Sequence, residues 1–308
     1  MLGMAMSNTH ALNLHHLRCF VETVDAGTMT AAGERLRLTQ SAISLAIGKL
    51  EDTLGTQLLI RSHSLGLSLT PAGRDLLASA RDLLRHADDV LERGLAAGHG
   101  LEGELTVGCF RTIAPFVLPR LLETFERLHP DVSLRFVEGP APEVERALVE
   151  GRCELAIIQD LGVGPAIALE PLFALRPYVI VDPAHPLAGA ATVSLAELAQ
   201  FGLVLLDVPP SAEYFTGLFD AAGASPTINH TASSYELVRS LVARGQGYGL
   251  LASRSATGSS YEGLPLVELE LADDVAPVRF GLGWLDGVRR TARARAFADL
   301  CRGQLGTA

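Results

Sequence analysis

The sequence predicts a mainly α-helical N-terminal domain built as a winged helix-turn-helix, then one long helix, then a larger α/β domain. Three observations carry that division. Apolar residues recur at helical spacing from Leu14 to Leu50, punctuated by capping residues. A proline-free stretch from Ala72 to about Ala97 carries an apolar stripe at spacings of three and four. From Leu105 on, strand-like and helix-like runs alternate.

Composition sets the outer bounds. A chain of 308 residues, 48% hydrophobic and 19% charged, is globular material for two or three domains. The net charge of -10 argues by itself against a nucleic-acid partner, because duplex affinity depends on neutralising phosphates. Its distribution removes that objection: residues 1–100 hold nine Lys or Arg against ten Asp or Glu, so the acidity belongs to the rest. Cys19, Cys109, Cys153 and Cys301 lie far apart with no CxxC spacing, so neither a zinc site nor a disulfide framework is suggested. No metal or cofactor is expected, and a reduced cytoplasm fits. The start MLGMAMSNTH lacks a basic, apolar leader, and no apolar run approaches the ~18 residues of a membrane span.

The first helix buries Leu14, Leu17, Phe20, Val21 and Val24, and Gly27 ends it. Thr28 or Thr30 caps a second helix carrying Ala31, Ala32 and Leu36, with Glu34 placed as a helping carboxylate. The small Ala32 and Gly33 admit a neighbouring helix. After the turn RLT, Thr39 caps a helix over Gln40 to Leu54 whose Ala42, Ile43, Ala46, Ile47 and Leu50 face inward. Gln40, Ser41, Ser44, Leu45, Gly48 and Lys49 face outward. An apolar back and a short polar front are what a groove-reading helix needs. Gln57 to Arg61 and Leu67 to Thr70 flank SHSLG and form a hairpin, the wing, where Arg61 can reach a phosphate.

From Leu14 to about Leu77 the chain resembles the N-terminal domain of LysR-type transcriptional regulators, through LHHLRCFVETVDAGTMTAAGERLRLTQSAISLAIGKLEDTLGTQLLIR and LSLTPAGRDLL. The resemblance implies that the helix from Gln40 is the recognition helix. Ser41 stands where Pro is frequent, and Ser44 matches a common serine. Leu45, Ala46 and Gly48 depart from the Arg, Gln or basic residues often found there. Lys49 is then the outer face's one charge, so Arg-to-guanine reading from this helix is unavailable. Hydroxyl and amide contacts, the helix N-terminus, Arg61 and DNA shape must carry more. The candidate DNA contacts are Thr28, Thr30, Gln40, Ser41, Ser44, Leu45, Lys49 and Arg61. Arg35 and Arg37 read equally as phosphate contacts or as a solvated helix end.

In the connecting helix, Leu77, Ala80, Leu84, Ala87 and Leu91 form a short coiled-coil seam that a second copy would bury. That pairing sets two recognition helices over two half-sites, in a homodimer or a homotetramer. The alternative is that the stripe packs on its own domain. AAGHGLEG then ends the helix. The domains expected are 11–71 for DNA binding, 72–98 for linkage and dimerisation, and 103–308 for regulation.

In the α/β part, LTVGC, SLRFVE, ELAII, YVIV, LVLLD and GYGLL read as strands, and the alternation implies a parallel sheet with covering helices. Ligands of open α/β sheets bind outside the carboxyl ends of the strands, where helix N-termini converge. The loops so placed supply Arg111, Thr112, Gly139, Gln159, Asp207, Ser211 and Ser234 as candidate ligand residues. GELTVG, VEGRCELAII and RGQGYGLL extend the LysR resemblance, which implies two subdomains like those of a periplasmic binding protein. Subdomain I would comprise about 103–174 and 276–308, and subdomain II about 175–275. It also implies that Thr112 contacts effector, and Ala141 and Pro142 lie where some members place a second hydroxyl. Arg111 reads as a carboxylate partner or a surface ion pair, and Asp207 as a ligand contact or the cap of its DVPPS turn. Tyr214 and Tyr248 are cleft-lining or core.

The expected function is a cytoplasmic, sequence-specific DNA-binding regulator whose partners are double-stranded DNA, a small-molecule effector and copies of itself. A transport-type solute-binding protein is the alternative suggested by the α/β half. Catalysis is not expected: no GxSxG or phosphate loop is present, and nothing brings Cys109, His129 and Asp207 together.

Overall fold

The computed structural model describes residues 12–62, 66–95 and 101–306; the side chains of residues 61–62 and 92–95 lie outside that description. The chain divides into two compact units, the first of residues 1–100 with 150–152 and the second of 101–149 with 153–308.

In the first unit, α1 (Leu14–Ala26) starts at Asn13, whose side chain accepts from the His15 amide, and ends at Gly27. For α2 (Met29–Leu36) the cap is Thr28, whose hydroxyl accepts from the Ala31 N–H at 3.1 Å. Glu34 lies at the other end of this helix and does not serve the cap. Gly33 makes room for the turn rather than for another helix, since a Cβ there would stand 2.6 Å from the Leu38 carbonyl oxygen. For α3 (Gln40–Leu54) Thr39 is the cap, accepting from the Ala42 N–H. Ile43, Ala46, Ile47 and Leu50 are buried together with Leu17 and Phe20, while Ala42 is half-buried. Each large side chain in that cluster contributes roughly 1.5–3 kcal/mol by leaving water.

The wing is an antiparallel pair, β1 (Leu59–Ser62) and β2 (Gly66–Leu69), with Leu59 opposite Leu69. Glu51 Oε1 ties α3 to it, accepting from the amides of Leu58 at 2.8 Å and Leu59 at 3.1 Å. The motif LTPAG then becomes legible. Thr70 Oγ1 accepts from the Gly73 amide at 2.9 Å and donates to the Gln57 carbonyl at 2.7 Å, opening α4 (Pro71–Leu95) with proline in the first turn, where no N–H is needed. The stripe of α4 is divided. Leu77, Ala80 and Leu84 are buried in the unit's own core, so a seam of five residues left entirely to a partner does not form. Of the other two, Ala87 is half-buried and Leu91 is exposed, as is its neighbour Val90 outside the stripe. The glycine-rich stop falls largely outside the described residues.

The second unit opens with β3 (Gly103–Phe110), α5 (Ala114–Leu128), β4 (Val132–Gly139), α6 (Ala141–Val149), β5 (Leu155–Gln159) and β6 (Ile167–Leu175). Then follow β7 (Tyr178–Val181), β8 (Thr192–Val193), α7 (Leu195–Leu198), β9 (Gly202–Leu206), α8 (Ser211–Ala221), β10 (Thr227–Ala232), α9 (Tyr235–Ala243), β11 (Tyr248–Leu251) and β12 (Val267–Leu271). The chain returns through β13 (Val278–Leu285) to α10 (Ala292–Leu305). Two sheets result, in the orders β4-β3-β5-β13-β6 and β10-β9-β11-β7-β12-β8.

The expected parallel sheet is corrected to two mixed sheets. β3 is parallel to β4 and β5, and β9 to β10 and β11, as helical crossovers require. β13 runs antiparallel to β5 and β6, and β7 antiparallel to β11 and β12. The cause is the route of the chain: β6 leaves the first sheet and β13 re-enters it beside β6, with Val278 opposite Leu175. Every residue of β5, β7 and β11 is buried.

Candidate functional site

Two faces matter, one in each unit. On α3 the outer face is as the spacing places it: Gln40, Ser41, Leu45 and Lys49 are exposed, and Ser44 and Gly48 are half-buried. Leu45 is 61% exposed, a large apolar side chain held in water by the isolated unit. Ser41 Oγ lies 3.0 Å from Thr39 Oγ1, so the cap and the first outward hydroxyl form one polar patch at the helix N-terminus. Thr28 is engaged as the cap of α2, and Thr30 stands exposed in that helix's first turn. Arg35 pairs with Glu22 at 2.8 Å, while Arg37 is the left-handed residue that closes α2. Arg61 belongs to β1 opposite Leu67, but its side chain is outside the described residues. Behind the face, burial first and then Lys49 and His15 hold His16 below the usual imidazole value, so His16 adds no charge near neutral pH.

In the second unit a narrow cleft lies between the two sheets. Thr112, Gln159, Val278 and Phe280 come from the first sheet and its loops. Opposite them stand Leu206, Ser211, Tyr214, Phe215, Tyr235 and the segment Leu251 to Ser253. The walls are braced across the cleft. Phe116 meets the Tyr235 ring edge-on with centroids 5.3 Å apart, the Ala141 amide donates to the Pro209 carbonyl at 3.3 Å, and the Tyr214 hydroxyl donates to the Ala276 carbonyl. Behind Tyr235, its hydroxyl and that of Tyr178 both donate to the Ser253 carbonyl, at 2.8 and 3.0 Å. Burial pushes the Tyr214 phenol up to about 12 and raises Tyr235 as well, so both are neutral donors at physiological pH.

Of the seven candidate ligand residues, Thr112, Gln159 and Ser211 are brought together in this cleft. Arg111 is exposed, 3.8 Å from Glu138, and its amide donates to the Gly139 carbonyl. Gly139 is buried beneath that bond and Asp207 is exposed; neither belongs to the lining. Ser234 is the cap of α9, accepting from the Leu237 amide at 3.2 Å. Ala141 turns its amide to Pro209, and Tyr248 is fully buried in the core. Phe215, Tyr235, Ser253, Val278 and Phe280 were not among the candidates. A signal existed for two of them: Phe215 shares a helix face with Ser211, and Ser253 follows the carboxyl end of the GYGLL strand.

None of the four cysteines lines the cleft. All four are buried. Desolvation pushes the Cys109 thiol far above its ordinary value, and Cys301 up to about 12. A thiol without thiolate is a poor target for oxidants. Millimolar hydrogen peroxide is expected to leave the four thiols of the folded protein unmodified by intact mass; rapid sulfenic acid formation at Cys109 would contradict this.

A helix-turn-helix unit joined to an α/β unit with an internal ligand cleft defines the class of ligand-responsive DNA-binding regulators. Comparison with known proteins makes this specific. A family described as the LysR substrate binding domain matches residues 98–306, and one described as the bacterial regulatory helix-turn-helix protein, lysR family, matches residues 14–74. The HTH-type transcriptional regulator CysB of Haemophilus influenzae is 31% identical over 257 residues, covering 80% of this chain and 77% of that protein. The crystal structure of HinK, a LysR family transcriptional regulator from Pseudomonas aeruginosa, is 36% identical with a TM-score of 0.65, covering 96% of this chain and 99% of that one. Full-length CbnR, crystallised in complex with its target DNA, is 25% identical with a TM-score of 0.56, covering 95% and 99%. This chain belongs to the LysR family of DNA-binding transcriptional regulators. Among the described residues no helix is long and apolar enough to cross a membrane, and no three His, Cys, Asp or Glu residues gather as for a metal ion.

Proposed function

We propose that this regulator reads its operator through the outer face of α3 and responds to a small effector bound among Thr112, Gln159 and Ser211. The observation that carries the effector half is the gathering of those three buried polar side chains in one cleft whose remaining lining is mainly apolar and aromatic. DNA contact is assigned to Gln40, Ser41, Ser44, Leu45 and Lys49, with Thr28, Thr30 and Arg61 as backbone contacts from the flanks. Val90 and Leu91, exposed on α4, support pairing of two copies through the distal part of that helix. A homodimer with its two recognition helices about one helical turn of DNA apart, or a pair of such dimers, follows. Arg111, Gly139, Asp207 and Ser234 are reassigned from effector contact to the scaffold around the cleft. Neither catalysis nor a cofactor is part of this reading, and the site of action is the cytoplasm.

Effector can act only through its different affinity for two arrangements of the protein. The braces between Ala141 and Pro209, and between Tyr214 and Ala276, are where an arrangement would be gained or lost. Footprinting of the purified protein on its own upstream region, with and without a small-molecule library, tests the whole reading. Protection that no compound alters would remove the sensor half.

The charge-poor face gives a separate expectation. Lys49→Ala should weaken binding to all sequences and reduce the slope of log affinity against log salt by about 1, the share of one phosphate contact. Gln40→Ala should instead relax base preference, with discrimination of about 1–3 kcal/mol lost at one position. Unchanged base preference in a selection assay would reject direct reading by Gln40.

A further inference from the structure

α3 is the second helix of the helix-turn-helix, the one that enters the major groove in domains of this class. Its outer face carries one large group that hydrogen bonding cannot employ. Leu45 is 61% exposed, and it is neither in the buried core of the first unit nor among the half-buried residues packed against that core. Among the described residues of this unit, only Val90 and Leu91 on α4, the proposed contact between copies, leave more of a large apolar side chain in water.

The helix itself leaves Leu45 uncovered. Neighbours on a helix surface stand three and four positions away, here Ser41 and Ala42 on one side and Gly48 and Lys49 on the other. Ser41, Ala42 and Gly48 are too short to cover a leucine, and a Cβ at Gly48 would meet nothing within 4 Å. Ser41 Oγ lies 3.0 Å from Thr39 Oγ1, and Lys49 is exposed. The middle of the reading face is therefore an apolar knob with low ground on either side.

A leucine side chain neither donates nor accepts a hydrogen bond. In the major groove guanine, adenine and cytosine offer it donors and acceptors, and thymine alone adds a methyl group, on C5. Pressed against one of the first three, Leu45 would take a polar atom out of water without replacing its partner. Against the thymine methyl, two apolar groups leave water together.

We infer that Leu45 is a specificity-determining residue that reads the C5-methyl group of a thymine in each half-site. This rests on the reading of α3 as the helix that faces the operator, and it adds the base that the middle of that helix selects. The place of the thymine follows as well. From Gln40 to Leu45 the helix rises roughly 7.5 Å, about two base-pair steps of roughly 3.4 Å, so the thymine lies within about three base pairs of the position that Gln40 reads.

The test starts from duplexes selected out of a random library by the full-length protein. Each thymine of the selected sequence is replaced in turn by deoxyuridine, which removes the methyl group and keeps the pairing edge. Affinity is then measured for the parent protein, Leu45→Ala and Leu45→Met. One thymine per half-site is expected at which the replacement weakens parent binding about fourfold, the effect of one buried methyl group. In Leu45→Ala the ratio at that thymine should fall to about one, whereas Leu45→Met, apolar and of similar volume, keeps it above about twofold. The melting temperature should not move in either variant, since the side chain lies outside the core. The slope of log affinity against log salt should not change, since no phosphate contact is lost. No thymine sensitive to loss of its methyl, a sensitive thymine whose ratio survives in Leu45→Ala, or a Leu45→Ala protein altered only in oligomeric state would overturn the assignment. Failure of the parent reading looks different: with α3 turned away from the operator, Gln40→Ala and Lys49→Ala also leave affinity and selected sequence unchanged. Effects at Gln40 and Lys49 with none at Leu45 would keep α3 as the reading helix and remove Leu45 from it.

Discussion

Gly73→Val is expected to abolish specific DNA binding and to remove the thermal transition of the N-terminal unit while the transition of the C-terminal unit persists. A Cβ at residue 73 would stand 2.2 Å from the Leu58 carbonyl oxygen and 3.0 Å from Leu69 Cδ2. The first neighbour is backbone and cannot rotate away. Leu58 is also held from the other side by Glu51, which accepts its amide, and Thr70 spans from the Gly73 amide to Gln57. Any shift that admits the new side chain therefore moves the wing, the start of α4 and the end of α3 together. Overpacking typically costs about 1–3 kcal/mol, and this case stands at the upper end of that range or beyond it because the obstacle is backbone. A unit of this size has little more stability than that to lose. Calorimetry with a mobility-shift assay checks it, and near-normal operator affinity in Gly73→Val would show that the wing is not pinned as described.

Much of this region was legible in the sequence because its determinants are local. Thr28 and Thr39 act as caps, Gly27 ends α1, and Ile43, Ala46, Ile47 and Leu50 form the buried stripe, all within a few residues of the pattern that announces them. The stripe on α4 was ambiguous for a physical reason. A helix spacing of three and four suits a partner helix and the unit's own core equally, and Leu77, Ala80 and Leu84 went to the core while Leu91 did not. Gly73 and Glu51 act through backbone atoms of another element, and no periodicity reveals that.

In the α/β unit the residues singled out on the strand-end loops divide between the lining of the cleft and the surface around it. Strand-end side chains alternate in direction, so being next to the right residue is not enough. Gln159 lines the cleft while Asp160 is exposed, Leu206 lines it while Asp207 is exposed, and Thr112 lines it while Arg111 is exposed. Of the candidates, Gln159 and Thr112 are the neutral members of their pairs and line the cleft, whereas Arg111 and Asp207 are the charged members of theirs and stand outside it. Val278 and Phe280 escaped notice because β13 reaches the site only by re-entering the first sheet antiparallel to β5 and β6.

The second large effect is expected at Gly247, in the motif RGQGYGLL. Its φ of +130° lies where side-chain-bearing residues rarely go, and a Cβ there would stand 2.1 Å from the Gly202 carbonyl oxygen. Gly202 opens β9, which pairs in parallel with β11 through Leu203 and Tyr248. Gly247→Val therefore separates β11 from β9, at a cost of about 3 kcal/mol or more from strain and overlap together. The strand leads straight into Leu251, Ala252 and Ser253, so one wall of the cleft moves with it. Gly245, two residues earlier, is a matched control: its φ of +74° is left-handed, a Cβ meets only Asp182 Oδ2 at 3.8 Å, and Asn tolerates that conformation. Gly245→Asn should melt near the parent protein and keep its response to ligand. Gly247→Val should lose ligand response and the C-terminal transition while its isolated DNA affinity falls far less than in Gly73→Val. Equal tolerance of both substitutions, read by calorimetry and by titration into the cleft, would show that β9 and β11 are not held in the register that builds the site.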